Sequence, residues 1–147
     1  MSLKTRFKEE QILAMRARDK VRLSTIRSLI AAVKQIEIDD KVELNDDAVT
    51  AVVVKSVKQR KDSISQFEKA DRHDLADIEK TELAILEEFL PQALTSEEVE
   101  VHIKQAIASS GAQGMQDMGK VMGLLQKDIQ GRVDMAQVSA LVRANLK

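Results

Sequence analysis

The chain has 147 residues with 23 basic and 24 acidic side chains, 44% hydrophobic residues, no Trp, no Tyr and three Phe, so its core must be aliphatic, which favours helices. The absence of cysteine excludes disulfides and thiolate chemistry. No apolar run approaches the roughly 20 residues of a membrane span, and mixed charges rather than a signal-peptide core follow Arg6, so a cytoplasmic protein is expected.

Ser2 is placed to cap a first helix that keeps Leu3, Phe7, Ala14 and Met15 on or near one face and ends near Ala17–Lys20. Asp19 caps a second helix, the clearest amphipathic pattern in the chain, with Leu23, Ile26, Ile30 and Val33 on its stripe and Leu29 and Ile36 widening it. Asp39–Leu44 is polar and reads as a loop, after which Asn45 or Asp46 caps a long third helix towards Ala70. The run Val52-Val53-Val54 is β-branched, but Val49, Val53, Val57, Ile64 and Phe67 keep a helical spacing, and length decides for helix. Asp71 with Asp74 marks a new start, and Leu75, Ile78, Ile85 and Phe89 give a fourth helix whose stripe Glu82 interrupts.

The only proline, Pro91, then makes a joint. It lacks the N–H a helix interior needs and biases Leu90 away from helical angles, so the fourth helix stops near Phe89. Thr95 with Glu98 fits a capping box that opens the next helix. This fifth helix carries Val99, Ile103, Ala106 and Ile107 and is stopped by Gly111. After a loop at Gly111–Gly114, Asp117 caps a sixth helix, with Met118, Val121, Met122, Leu125 and Ile129, closed by Gly131. Asp134 caps the last, which shows Met135, Val138, Leu141, Val142 and Leu146 on one side. Three short helices need one another's apolar faces. The expected fold is therefore all-α, with a four-helix subdomain over 1–91 and a three-helix subdomain over 92–147.

The net charge of −1 hides segregated blocks. Met1–Ile36 has nine basic and three acidic residues, Glu37–Thr50 one and six, Ala51–Lys61 four and none, Asp62–Glu100 three and twelve, and Val101–Lys147 six and three. Such blocks offer a polyanion two basic surfaces around an acidic one, and they equally fit solvated helix faces pairing with one another. His73 and His102 have no metal-ligand spacing, so no metal is expected. Gly114–Lys120 matches the Gly-x4-Gly-Lys spacing of a phosphate loop, yet Val121 stands where a Ser or Thr should ligate magnesium and a helix precedes it, so the match is rejected. No nucleophile setting is present, and no cofactor is expected.

The segments Arg22–Arg27, Lys58–Ile64 leading to Phe67–Ala70, Glu87–Pro91 and Met118–Met122 together resemble the GatB/YqeY family, in particular its free-standing YqeY-type members, over nearly the whole chain. The resemblance implies an all-α fold similar to the tail of the B subunit of the tRNA-dependent amidotransferase, which helps hold the tRNA outer corner. The kinase, transamidase and amidase parts of that enzyme have no counterpart here. The tail's glycine, lysine, glycine and basic positions are matched by Gly123, Lys127, Gly131 and Arg132, its cap by Asp134 and its apolar pair by Val138 and Leu141, while its proline is replaced by Met135.

What this implies is phosphate contact by Lys127 and Arg132, with Lys120 near the same face and Gly131 allowing a tight turn; the residues alone equally fit a solubilising lysine on the sixth helix and an arginine in a turn. The N-terminus of the last helix points N–H groups into that region, with Asp134 opposing an anion. A second basic patch is Lys55 and Lys58 with, farther round, Arg60 and Lys61. Gly119 and Gly123 are alternatively close-packing points between helices. The leading expectation is a binding module for tRNA or a similarly folded RNA, read by shape and backbone charge because aromatic side chains for base stacking are scarce. Its rivals are an accessory subunit of an amidotransferase or another carbon–nitrogen ligase using glutamine, and a protein-interaction adaptor using Asp62–Glu100; the chain alone is expected to catalyse nothing.

Overall fold

The computed structural model describes residues Ser2–Leu146, and among them there are seven α-helices and no strand: α1 (Leu3–Arg16), α2 (Lys20–Asp40), α3 (Asp46–Lys69), α4 (His73–Glu87), α5 (Ser96–Ser110), α6 (Met118–Ile129) and α7 (Met135–Leu146). Two compact units divide the chain, the first ending at Leu90 and the second beginning at Pro91. Met1 and Lys147, the outer ends of the expected subdomains, lie outside the described residues.

Side-chain oxygens start the first three helices: Ser2 accepts from the Thr5 N–H, Asp19 from the Arg22 N–H and Asn45 from the Ala48 N–H. Helix α2 runs through Asp40, so the expected loop at Asp39–Leu44 begins only at Lys41, which closes the helix in the left-handed conformation at φ 54°. The fourth helix also starts differently. Asp71 takes a left-handed turn at φ 58° instead of capping, Arg72 holds the cap position without a side-chain bond, and the Arg72 guanidinium grips Asp74.

Phe7, Ile26, Leu29, Val33, Val49, Val53, Leu86 and Phe89 form the centre of the first core. The stripe of α4 is rotated from the expected one: Ala76, Ile85 and Leu86 are buried, whereas Ile78 is 53% exposed. Met15, expected to face inward, is likewise 50% exposed, because α1 rests on Phe7 and Ala14. Glu82 is no mere interruption of an apolar stripe. With Glu79 it faces Arg60 of α3, the Arg60 Nε lying 2.8 Å from Glu82 and 3.2 Å from Glu79.

Two of the family-resembling segments, Arg22–Arg27 and Glu87–Pro91, meet in this unit through Arg22 and Glu88. The Phe7 and Phe89 rings pack edge to face with centroids 5.0 Å apart, and the Arg6 guanidinium lies 4.9 Å over Phe89 while donating to the Glu88 carbonyl. Arg22 joins Glu10 at 2.9 Å and Glu88 at 2.7 Å, which raises its pKa, mainly through the hydrogen bond with Glu88 and then that with Glu10. These motifs therefore tie α1, α2 and the end of α4 together.

In the second unit the Thr95–Glu98 capping box forms in both directions, and Gly111 closes α5 at φ 69°. Asp117 does not cap α6 with its side chain. It ends a short 3-10 turn, Met115–Asp117, and its Oδ2 accepts from the Gln113 N–H. Val99, Ile103, Val121, Leu125, Ile129, Val138 and Val142 make the second core. Burying Val121, Leu125 and Ile129 on α6 contributes roughly 5–9 kcal/mol before ordering costs, enough to hold a helix that is marginal alone. Leu141, expected on the apolar side, is 37% exposed at its edge.

Candidate nucleic-acid interface

The α6–α7 turn is fixed by its own backbone. Gly131 sits at φ 82°, a conformation that excludes most side chains, and the Arg132 N–H donates to the Ile129 carbonyl at 3.0 Å. The segment after Pro91 docks on that turn: the Leu94 N–H donates to the Arg132 carbonyl at 2.8 Å, and the Arg132 Nε donates to the Gln92 carbonyl at 3.0 Å. Arg132 is thus a clip as well as a candidate contact, a role that sequence spacing gave no means of seeing. Its acceptors are main-chain oxygens and no carboxylate pairs with it among the described residues, so its charge is not neutralised.

Lys127 is exposed on α6, and Lys120, seven residues and about two turns earlier, shares its side of the helix. Lys120 is 72% exposed and stands 3.9 Å from Asp117, a loose contact; Lys127 has no carboxylate partner among the described residues. Gly119 and Gly123 lie on the same side, and a Cβ added at either would meet nothing within 4 Å. With no atom that near among the described residues, neither acts as a close-packing point between helices. The expected help from the start of α7 also fails. The Asp134 Oδ1 accepts from the Ala136 N–H at 2.9 Å, so the carboxylate caps the helix and occupies the position an anion would take.

The patch on α3 separates into two parts. Lys55, Lys58 and Lys61 are exposed on the side opposite Val49, Val53 and Val57, whereas Arg60 points across to Glu79 and Glu82 and is only 25% exposed. Arg60 is a link between α3 and α4, since facing two carboxylates leaves it no net charge to offer a phosphate. Part of the acidic block is engaged within the first unit, through Arg60 with Glu79 and Glu82, the Lys80–Glu68 pair at 2.8 Å and the Arg22–Glu88 pair. Lys80 lowers the Glu68 pKa, first by its hydrogen bond and then by its charge. At Gly114–Lys120 a 3-10 turn with an inward Asp117 carboxylate replaces a phosphate cradle. Among the described residues no cluster of three or more His, Cys, Asp or Glu is arranged to hold a metal, and no helix is long and apolar enough to cross a membrane.

A family model described as Yqey-like protein matches residues 4–146. Curated relatives include the altered inheritance of mitochondria protein 41, mitochondrial, of Kluyveromyces lactis, 38% identical over 104 residues, which are 68% of this chain and 56% of the relative. The protein of the same name from Lachancea thermotolerans is 38% identical over 92 residues, 62% of this chain and 49% of the relative. That from Pyrenophora tritici-repentis is 31% identical over 132 residues, 88% of this chain and 73% of the relative. The chain spans about half the length of the first two. These names overturn the expectation of a cytoplasmic protein, because the relatives are mitochondrial proteins. Of the charges that follow Arg6, Glu10 pairs with Arg22 of α2.

Proposed function

From its membership of the YqeY-like family, to which the chain belongs over residues 4–146, we propose that this protein is a tRNA-binding module whose second unit contacts the RNA backbone. The observation that carries the reading is the face of α6: Lys120 and Lys127 stand exposed beside bare helix backbone at Gly119 and Gly123, with the clipped Arg132 just beyond the helix end. Glycines let a phosphate backbone come close to the helix, and the lysines supply charge at its edges. Three phosphate contacts make for weak binding that falls with salt and varies little with base sequence. The second basic surface, Lys55, Lys58 and Lys61, without the paired Arg60, is the comparison for diffuse attraction.

The test is the affinity of unfractionated tRNA for the wild type and for a Lys120→Ala, Lys127→Ala variant across a salt series. The expected result is a salt slope smaller by about 1.8 units for the two lost contacts. An unchanged slope against measurable wild-type binding overturns the site. The resemblance to an amidotransferase tail gives a second reading, an accessory subunit of a carbon–nitrogen ligase, and coupled transamidation stimulated by the added protein is its signature.

A further inference from the structure

Helix α2 carries cations that the second unit's site does not use. From Lys20 to Ile36 it contains no acidic residue, and of its four cations only Arg22 is paired, to Glu10 and Glu88. The others, Lys20, Arg27 and Lys34, are exposed and pair with no carboxylate among the described residues. They recur every seven residues, so they drift only about 20° per step and form one row with roughly 10.5 Å between neighbours.

An open groove of about 450 Å³ runs beside the first two, lined also by Leu23, Ser24, Ser28 and Ala31. Ser28 donates its hydroxyl to the Ser24 carbonyl of its own helix. Lys34 borders a second cleft of about 480 Å³, shared with Lys4, Lys8, Glu37 and Glu43. Lys4 contacts both glutamates there, at 2.8 and 3.5 Å, and neither stands within ion-pair distance of Lys34.

The chemistry of the row selects its partner. A protein helix docking here would need an apolar seam, yet the large hydrophobics exposed on α2, Val21 and Ile38, sit near its two ends and not along the row. Between Lys20 and Lys34 lie charge, hydroxyls, a small side chain and one half-buried leucine, Leu23, too little apolar surface for a seam, and the regular cation spacing suits a chain of anions bound through its backbone. We infer that the Lys20–Arg27–Lys34 row of the first unit is a second contact for the phosphate backbone of structured RNA. The inference rests on the tRNA-binding reading, and it makes the first unit a contributor to affinity instead of a passive support for the second.

The experiment uses the full chain and unfractionated tRNA over a salt series, with three variants: Lys20→Ala, Arg27→Ala, Lys34→Ala together; Lys120→Ala with Lys127→Ala; and Lys55→Ala with Lys58→Ala. Circular dichroism verifies helicity, and a charge-keeping triple variant (Lys20→Arg, Arg27→Lys, Lys34→Arg) should retain the wild-type slope. The expected result is a slope flattened by about 2.7 units in the first variant, a loss of roughly 500-fold at 0.1 M salt. A wild-type slope there, with a loss in the Lys120 and Lys127 variant, overturns the row and leaves the second-unit site standing. A loss in the row variant alone supports the row and removes that site. Equal flattening per charge in the Lys55 and Lys58 variant, or equal competition by polyglutamate at matched charge, overturns the row as an RNA contact in favour of diffuse attraction for polyanions. No tRNA binding by the wild type overturns both readings together.

Discussion

Arg132 has two roles in this structure, and substitution separates them. Its Nε–H donates to the Gln92 carbonyl at 3.0 Å, while its own carbonyl accepts from the Leu94 N–H regardless of the side chain. Arg132→Ala therefore removes one charge-assisted hydrogen bond and the packing of a half-buried stem. Such bonds contribute about 1.5–3 kcal/mol, and partial exposure brings the expected loss to about 1–1.5 kcal/mol. Arg132→Lys should lose most of the same amount, because an ammonium on a flexible stem does not reproduce the planar fork. RNA binding should respond differently. One phosphate contact adds about 0.9 to the salt slope, equivalent to about eightfold in affinity at 0.1 M salt, and Lys retains the charge that supplies it. Urea denaturation should thus show both variants destabilised, while tRNA titration across a salt series should show a flattened slope for Arg132→Ala alone. Equal slopes for Arg132→Ala and the wild type, with the stability loss present, would mean that Arg132 is only a clip. Full stability in both variants would refute the clip.

Gly123→Ala should raise stability by roughly 0.5–1 kcal/mol, since the position is helical and open, and should lower tRNA affinity if RNA lies against that backbone; thermal melts and the same titration read the two effects. Phe89→Ala should cost about 3–5 kcal/mol, and a double-mutant cycle with Phe7 should return a coupling of about 0.5–1.5 kcal/mol, measured by urea denaturation. A coupling near zero would show the edge-to-face contact to be incidental. Glu37 has its pKa held below the ordinary 4.5, first by the hydrogen bond from Lys4 and then by that from the Leu44 N–H. Its stabilisation is therefore present above the unfolded-state pKa and lost as pH falls through the lower folded value. Urea midpoints taken downward from pH 5 should show a smaller acid loss in Glu37→Gln than in the wild type.

Local signals were readable from the chain wherever one residue and its near neighbours suffice. Ser2, Asp19 and Asn45 bond N–H groups three positions on, Thr95 and Glu98 satisfy each other, and Gly111 and Gly131 take the positive φ their turns require. Periodicity likewise identified seven helices and most of the aliphatic core, because a 3.6-residue repeat records which side is buried. It does not record how far that side is covered, so Met15, Ile78 and Leu141 are expected inward although each is a third or more exposed. Only tertiary structure decided which charges remain free. Arg60 and Lys58 are two residues apart and alike in sequence, yet Arg60 faces Glu79 and Glu82 across the α3–α4 contact while Lys58 faces solvent. The row on α2 is hidden in the sequence for the same reason: Lys20, Arg27 and Lys34 share their helix with the paired Arg22, and a charge is neutralised by whatever folding brings within a few ångströms of it, a distance that position along the chain does not encode.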